Sequence, residues 1–143
     1  MRIYFELPTN PTITSQEKGI RNVNGKTFVY TKNEVIALKN LYWSKIKQEM
    51  IKNDIEPPKF KKACVLNLTF GFSTQDKKKW NHFKVTKPDY DNLAKTITDV
   101  LGDMGFFEVG DQQVAVGQVV KIWADRPFVR IDIREVEHDV YRI

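Results

Sequence analysis

Covalent cross-links are out of reach for this chain, because Cys64 is the single cysteine among 143 residues. One thiol closes no internal disulfide, so an intracellular, reducing compartment is expected and the fold must be held by burial. Histidine is nearly as scarce. His82 and His138 are the two present, and neither has partners at metal-ligand spacing, which argues against a zinc-type centre. No apolar run approaches the roughly 20 residues of a bilayer helix, so no membrane partner is expected. The opening MRIYFELP carries one basic residue and lacks the apolar stretch of a secretory signal, so the expected location is cytoplasmic. Internal repeats and low-complexity tracts are also missing.

What the chain has in excess is positive charge, with 23 Lys and Arg against 18 Asp and Glu and a net charge of +5. A basic balance favours an anionic partner, nucleic acid being the commonest for a domain of this kind. Lys59, Lys61 and Lys62 form one cluster. Lys77, Lys78, Lys79, Lys84 and Lys87 form a second, interleaved with Trp80, His82 and Phe83. Lysines among aromatic rings suit phosphate contact combined with stacking. A solvated, flexible loop has the same composition, and composition alone does not separate the two.

The length fits one domain over residues 1–143, with a lysine-rich loop at about 74–87 and a tail at about 137–143. Residues 2–7 alternate as a strand, and Pro8, Asn10 and Pro11 end it before a polar loop to about Gly25. Lys26–Tyr30 reads as a short strand. A helix follows, capped by Thr31 or Asn33, with Val35, Leu38, Leu41, Tyr42, Ile46 and Met50 at helical spacing, and it stops before Pro57 and Pro58. Ala63–Phe72 is a strand whose apolar face includes Cys64, so a buried, inert thiol is expected. A second helix is expected from about Tyr90 to Leu101 or Met104. Val114–Trp123 and Phe128–Val136 are expected as strands joined in a hairpin across 125–127. The implied class is α+β: a mixed or antiparallel sheet with two main helices packed on it.

Chemistry concentrates in KPDYDNLAKTITDVLGDMGFFEVGDQQV, residues 87–114. Pro88 biases Lys87 towards extended backbone. Asp89 and Asp91 are two apart, and in extended chain such side chains point the same way. Asp91 or Asn92 is a good cap for the helix that follows. On that helix Leu93, Ile97, Val100, Leu101 and Met104 form an apolar stripe, while Asp91, Lys95 and Asp99 occupy successive i,i+4 positions. A solvent-facing ion-pair ladder gives the same spacing and is the default for Asp99. It accounts poorly for Asp89, which precedes the helix. Converging carboxylates without histidine or cysteine suit a hard cation, Mg²⁺ with Mn²⁺ able to substitute. Such an ion activates water and polarises a phosphodiester, and a nearby lysine stabilises the charge that develops.

The segments KPDYDNLAK, Asp99 and GFFEVGDQQV together resemble the RusA family of Holliday-junction resolvases, whose pattern is D-x-D-N-L-x-K opening a helix, an in-helix Asp, and a later D-D-x-Q-V. The likeness extends more loosely over most of the chain. It implies catalytic roles for Asp89, Asp91, Asp111 and Lys95, with Asp89, Asp91 and Asp111 as metal ligands and Asp99 and Asn92 in support. It also implies a Mg²⁺-dependent homodimer, bacterial or phage-encoded, that nicks two symmetry-related strands of a four-way DNA junction. The chain departs from the pattern at Gly110, where the family has an acidic residue, and neither Glu108 nor Asp103 is in register to replace it. Standing directly before the motif, Lys77, Lys78, Lys79, Trp80, Lys84 and Lys87 are expected to bind DNA. Phe106 and Phe107 are expected to pack beneath the Asp111 loop or in a dimer interface, and Trp123 in the core or an interface. The competing readings are a junction-binding protein with a decayed site at Gly110 and a different metal-dependent phosphodiesterase acting on flaps or nucleotides.

Overall fold

Alternation sets the first strand. In β1 (Arg2–Glu6) Ile3 and Phe5 turn inward, while Arg2, Tyr4 and Glu6 face solvent. The structure, a computed structural model, describes residues 1–12 and 18–143. The expected polar loop up to Gly25 therefore lies partly outside the described residues, at 13–17. Its remainder is corrected: Lys18–Val23 forms a strand, β2, paired antiparallel with β3 (Lys26–Thr31). The joining pair Asn24–Gly25 has φ of 51° and 75°, the two positive angles that a tight hairpin turn requires and that Asn-Gly adopts readily.

Helix α1 (Asn33–Lys52) begins after Lys32, whose side chain makes no capping bond, so the cap is neither Thr31 nor Asn33. It buries Val35, Tyr42, Ile46 and Met50. Strand β4 (Cys64–Ser73) buries Cys64, Leu66, Leu68, Phe70 and Phe72 on one face. Helix α2 (Tyr90–Asp103) turns Leu93, Ile97, Val100 and Leu101 into the same core. It ends as a Schellman motif: Phe106 N–H donates to the Leu101 carbonyl at 3.1 Å and Gly105 N–H to Gly102 at 3.0 Å, with Gly105 at φ 82°. Phe106, fully buried, closes the turn against the core. Beside it Phe107, also in the core, packs against Phe60, ring centroids 6.4 Å apart.

The expected hairpin between the last two strands is overturned. β5 (Val114–Ala124) and β6 (Phe128–Glu135) are not neighbours; the sheet order is β1-β6-β4-β5, with β5 parallel and β6 antiparallel to β4. The reason lies in β4, whose apolar length is best served at the centre of the sheet with a partner on each edge. Residues 125–127 cross its end, and two strand spacings of about 4.8 Å each are within reach of so short an extended link. Both helices pack on the face that carries Leu66, Leu68, Val129 and Ile131, giving a mixed four-stranded sheet with helices on one side. No helix among the described residues is long and apolar enough to cross a membrane.

Candidate active site

Asp89 is the N-cap of α2, in extended backbone (φ −69°, ψ 145°), and its carboxylate makes no capping bond. Asp91 already lies in the first helical turn. The cap is thus Asp89, not Asp91 or Asn92, and the pair does not share one extended stretch. Both carboxylates are exposed at the helix start, where the backbone dipole favours negative charge. Asp89 is not without a cation: Lys87 Nζ lies 2.9 Å from its carboxylate. Asn92 is half-buried, and its carbonyl accepts the Thr96 hydroxyl at 3.2 Å.

One turn on, Lys95 is half-exposed and reaches Asp99 Oδ1 at 3.3 Å. Asp99 also meets Lys39 of α1 at 3.2 Å. The in-helix aspartate therefore ties the two helices together and holds the lysine. Lys39 gave no signal in the sequence, because nothing in its spacing relates it to α2.

Asp111 stands in a single helical turn, 111–113, just before β5. Its Cβ lies 4.0 Å from where a Cβ on Gly102 would sit. Gly102 is eleven positions along α2 from Asp91, about 16 Å at 1.5 Å per residue. The chain thus gathers Asp89 and Asp91 at one end of α2 and holds Asp111 at the other. Among the described residues no three His, Cys, Asp or Glu side chains are grouped to hold a metal ion.

The Asp111 loop is well anchored. Gln113 Oε1 accepts the Val109 N–H at 2.6 Å, and its Nε2 donates to the Phe60 and Lys62 carbonyls, both at 3.0 Å. Gln113 was visible as part of the Asp-x-Gln-Val pattern, but nothing in the pattern says that it staples the loop to the segment just before β4. Gly110 has φ 153° and ψ −178°, a conformation essentially confined to glycine. The residue that departs from the family pattern is the one this backbone requires.

The lysine-rich loop separates into three groups. Lys77, Lys78 and Lys79 form one exposed turn, opened by the Asp76 carboxylate accepting the Lys78 N–H at 3.2 Å. Trp80 is partly buried, its indole N–H donating to the Thr74 carbonyl at 2.9 Å, with Lys77 Nζ 5.9 Å from its ring centre. Lys84 departs from its expected DNA-binding role. It is 7% exposed, and its ammonium lies 5.0 Å from the Phe72 ring centre and 4.8 Å from that of Trp123. Burial, and then the charge of Lys121, lowers its pKa. A cation enclosed in this way does not face a phosphate. Trp123 itself packs against the core, and Cys64 is fully buried, with burial raising its thiol pKa.

A family model described as Endodeoxyribonuclease RusA matches residues 8–134. A crossover junction endodeoxyribonuclease rusA of Lactococcus phage r1t is 33% identical over 136 residues, covering 92% of this chain and 95% of the relative. With its aspartate pair at the head of α2 and a match over most of its length, the chain belongs to the RusA family of endodeoxyribonucleases.

Proposed function

We propose that this protein is a divalent-metal-dependent endodeoxyribonuclease that resolves four-way DNA junctions by paired nicks, acting in recombination and repair as a homodimer. The observation that carries the reading is the exposed Asp89–Asp91 pair at the start of α2, with Lys95 one turn away, in a chain of the RusA family. Two hard oxygen donors suit Mg²⁺, which takes one or two carboxylates and fills its shell with water and phosphate oxygens. When bound, the ion would supply activated water and charge neutralisation at the scissile phosphate.

Asp111 does not join that pair within one chain. This separation supports the dimer, since a second copy related by a two-fold axis would offer its Asp111 to this chain's Asp89 and Asp91. The chain's own residues then have distinct tasks. Asp89 and Asp91 present oxygen ligands, and Lys95, held by Asp99, stands to meet phosphate charge. The exposed Lys77–Lys79 turn holds the DNA backbone. A cytoplasmic site of action follows from the substrate.

The test is cleavage of a synthetic four-way junction, a linear duplex and a flap in Mg²⁺, with wild type and Asp91→Asn. Paired nicks confined to the junction and lost in Asp91→Asn, with binding kept or tightened, support the reading. An Asp91→Asn protein cutting at the wild-type rate would falsify the site. Binding without cleavage by wild type in Mg²⁺ or Mn²⁺ would favour a junction-binding protein with a decayed site, the reading that glycine at position 110 favours.

A further inference from the structure

The loop that delivers the aspartate pair is secured by two lysines. Lys121 leaves β5 on the helix-bearing face, opposite buried Phe70 of β4. Its ammonium donates to the Thr86 and Pro88 carbonyls, each at 2.7 Å. Lys84 donates to the Thr86 hydroxyl at 2.5 Å and to the Lys87 carbonyl. Three consecutive carbonyls, 86 to 88, are therefore each capped by an ammonium group, and the next residue is Asp89.

We propose that Lys121, assisted by Lys84, is a positioning residue that fixes the backbone entering Asp89 and Asp91; the inference rests on the reading of that pair as the metal-binding site. Asp89 caps α2 without a side-chain bond and both carboxylates are exposed. Local restraint on the pair comes from the helix and from the exposed Lys87 ion pair, which is weak in water. Upstream, backbone hydrogen bonds tie residues 81–84 to β5, Lys84 N–H donating to the Lys121 carbonyl at 2.8 Å, and the two lysine ammonium groups extend that tie to residues 86–88. Two carboxylates that must present oxygens to one ion repel each other, and a loose entry would let them splay. Small misplacements of groups that must be preorganised cost large factors in rate. Strand β5 belongs to the sheet, so Lys121 carries the sheet's rigidity to the site through two short charge-assisted bonds. The same bonds occupy its ammonium, which is thereby withheld from DNA.

The experiment compares wild type, Lys121→Met, Lys121→Cys and Asp91→Asn on a four-way junction. It measures single-turnover cleavage at saturating protein in Mg²⁺, junction affinity without metal, and circular dichroism. The cysteine variant is also measured after alkylation with bromoethylamine, which restores an ammonium at nearly the original length. Cys64 is fully buried and is spared in folded protein, and alkylated wild type serves as control. Lys121→Met is expected to keep its fold, to bind within about threefold of wild type and to cut at least tenfold more slowly. Alkylated Lys121→Cys should regain most of the rate. The proposal is overturned if Lys121→Met cuts within twofold of wild type, if weaker binding accounts for the whole loss, if alkylation restores nothing, or if both variants unfold. Inactive Asp91→Asn beside fully active Lys121→Met removes the clamp and leaves the site intact; Asp91→Asn at wild-type rate removes the site, and the clamp with it.

Discussion

Replacing Gly110 with alanine tests the geometry of the Asp111 loop directly. The residue sits at φ 153°, ψ −178°, where a side chain costs about 1–3 kcal/mol of backbone strain. A Cβ there would also fall 2.3 Å from Gln112 Oε1. Gln112 is exposed, so its side chain swings away, and the backbone term remains. Gln113 ties the loop to the Phe60 and Lys62 carbonyls, which opposes relaxation. If the loop holds, Gly110→Ala lowers unfolding free energy by about 1–3 kcal/mol, moving a urea midpoint by roughly 1 M at the slopes of small proteins. If it yields, Asp111 is displaced and junction cleavage falls while stability is kept. Gly110→Asp, which restores the family residue, should incur the same strain. Gly105→Ala, at φ 82° with open space around it, provides a left-handed reference costing about 1–2 kcal/mol. Wild-type stability and wild-type cleavage together in Gly110→Ala would refute the reasoning.

Three further outcomes are expected. Phe106→Ala empties a fully buried site that closes α2 and should cost about 3–5 kcal/mol by urea unfolding. Replacing Lys77, Lys78 and Lys79 with alanine should weaken junction binding and flatten its dependence on salt, the log–log slope falling by up to about 0.9 for each phosphate that is no longer neutralised; an unchanged slope would show a turn that does not touch the backbone. Burial, with the charge of Glu135 second, raises the Cys64 pKa in the folded state. The folded thiol thus keeps its proton where the unfolded one, with a pKa near about 8.5, releases it. Its stability contribution is complete below that pH and is lost as pH rises through the folded value. Cys64→Ala should therefore show a smaller decline in urea midpoint than wild type between about pH 8 and 10.

Periodicity carried most of the secondary structure. Leu93, Ile97, Val100 and Leu101 form the buried stripe of α2 that their spacing implies, and β4 buries the face that contains Cys64. Strand β2 went unread because Lys18, Arg21 and Asn22 dilute its alternation, although Asn24–Gly25 was a legible turn signal. Pairing was the harder matter. A short link between two strands reads as a hairpin, and nothing local to 125–127 reveals that β4 lies between them. At the site, residue types and spacing pointed to Asp89, Asp91 and Lys95, whose neighbourhood is built within one helix. They could not reveal that Asp111 lies beside Gly102 at the far end of α2, nor that Lys84 turns inward between Phe72 and Trp123. Both depend on how the loop and the sheet meet, which no local pattern encodes.

The placement of β6 between β1 and β4 has a consequence for how the molecule comes into being. Among the described residues β1 pairs with a strand that begins 122 positions after it ends, from Glu6 to Phe128, and the central strand must also wait for both of its neighbours. A nascent chain can wind α1 and α2 early, but its sheet stays uncommitted until β6 has left the ribosome. Closures this distant slow folding, so the exposed apolar side of β4 is a hazard on the way to the native state. A chain interrupted after Ala124 would hold every aspartate named above and still lack the strand that joins its two ends.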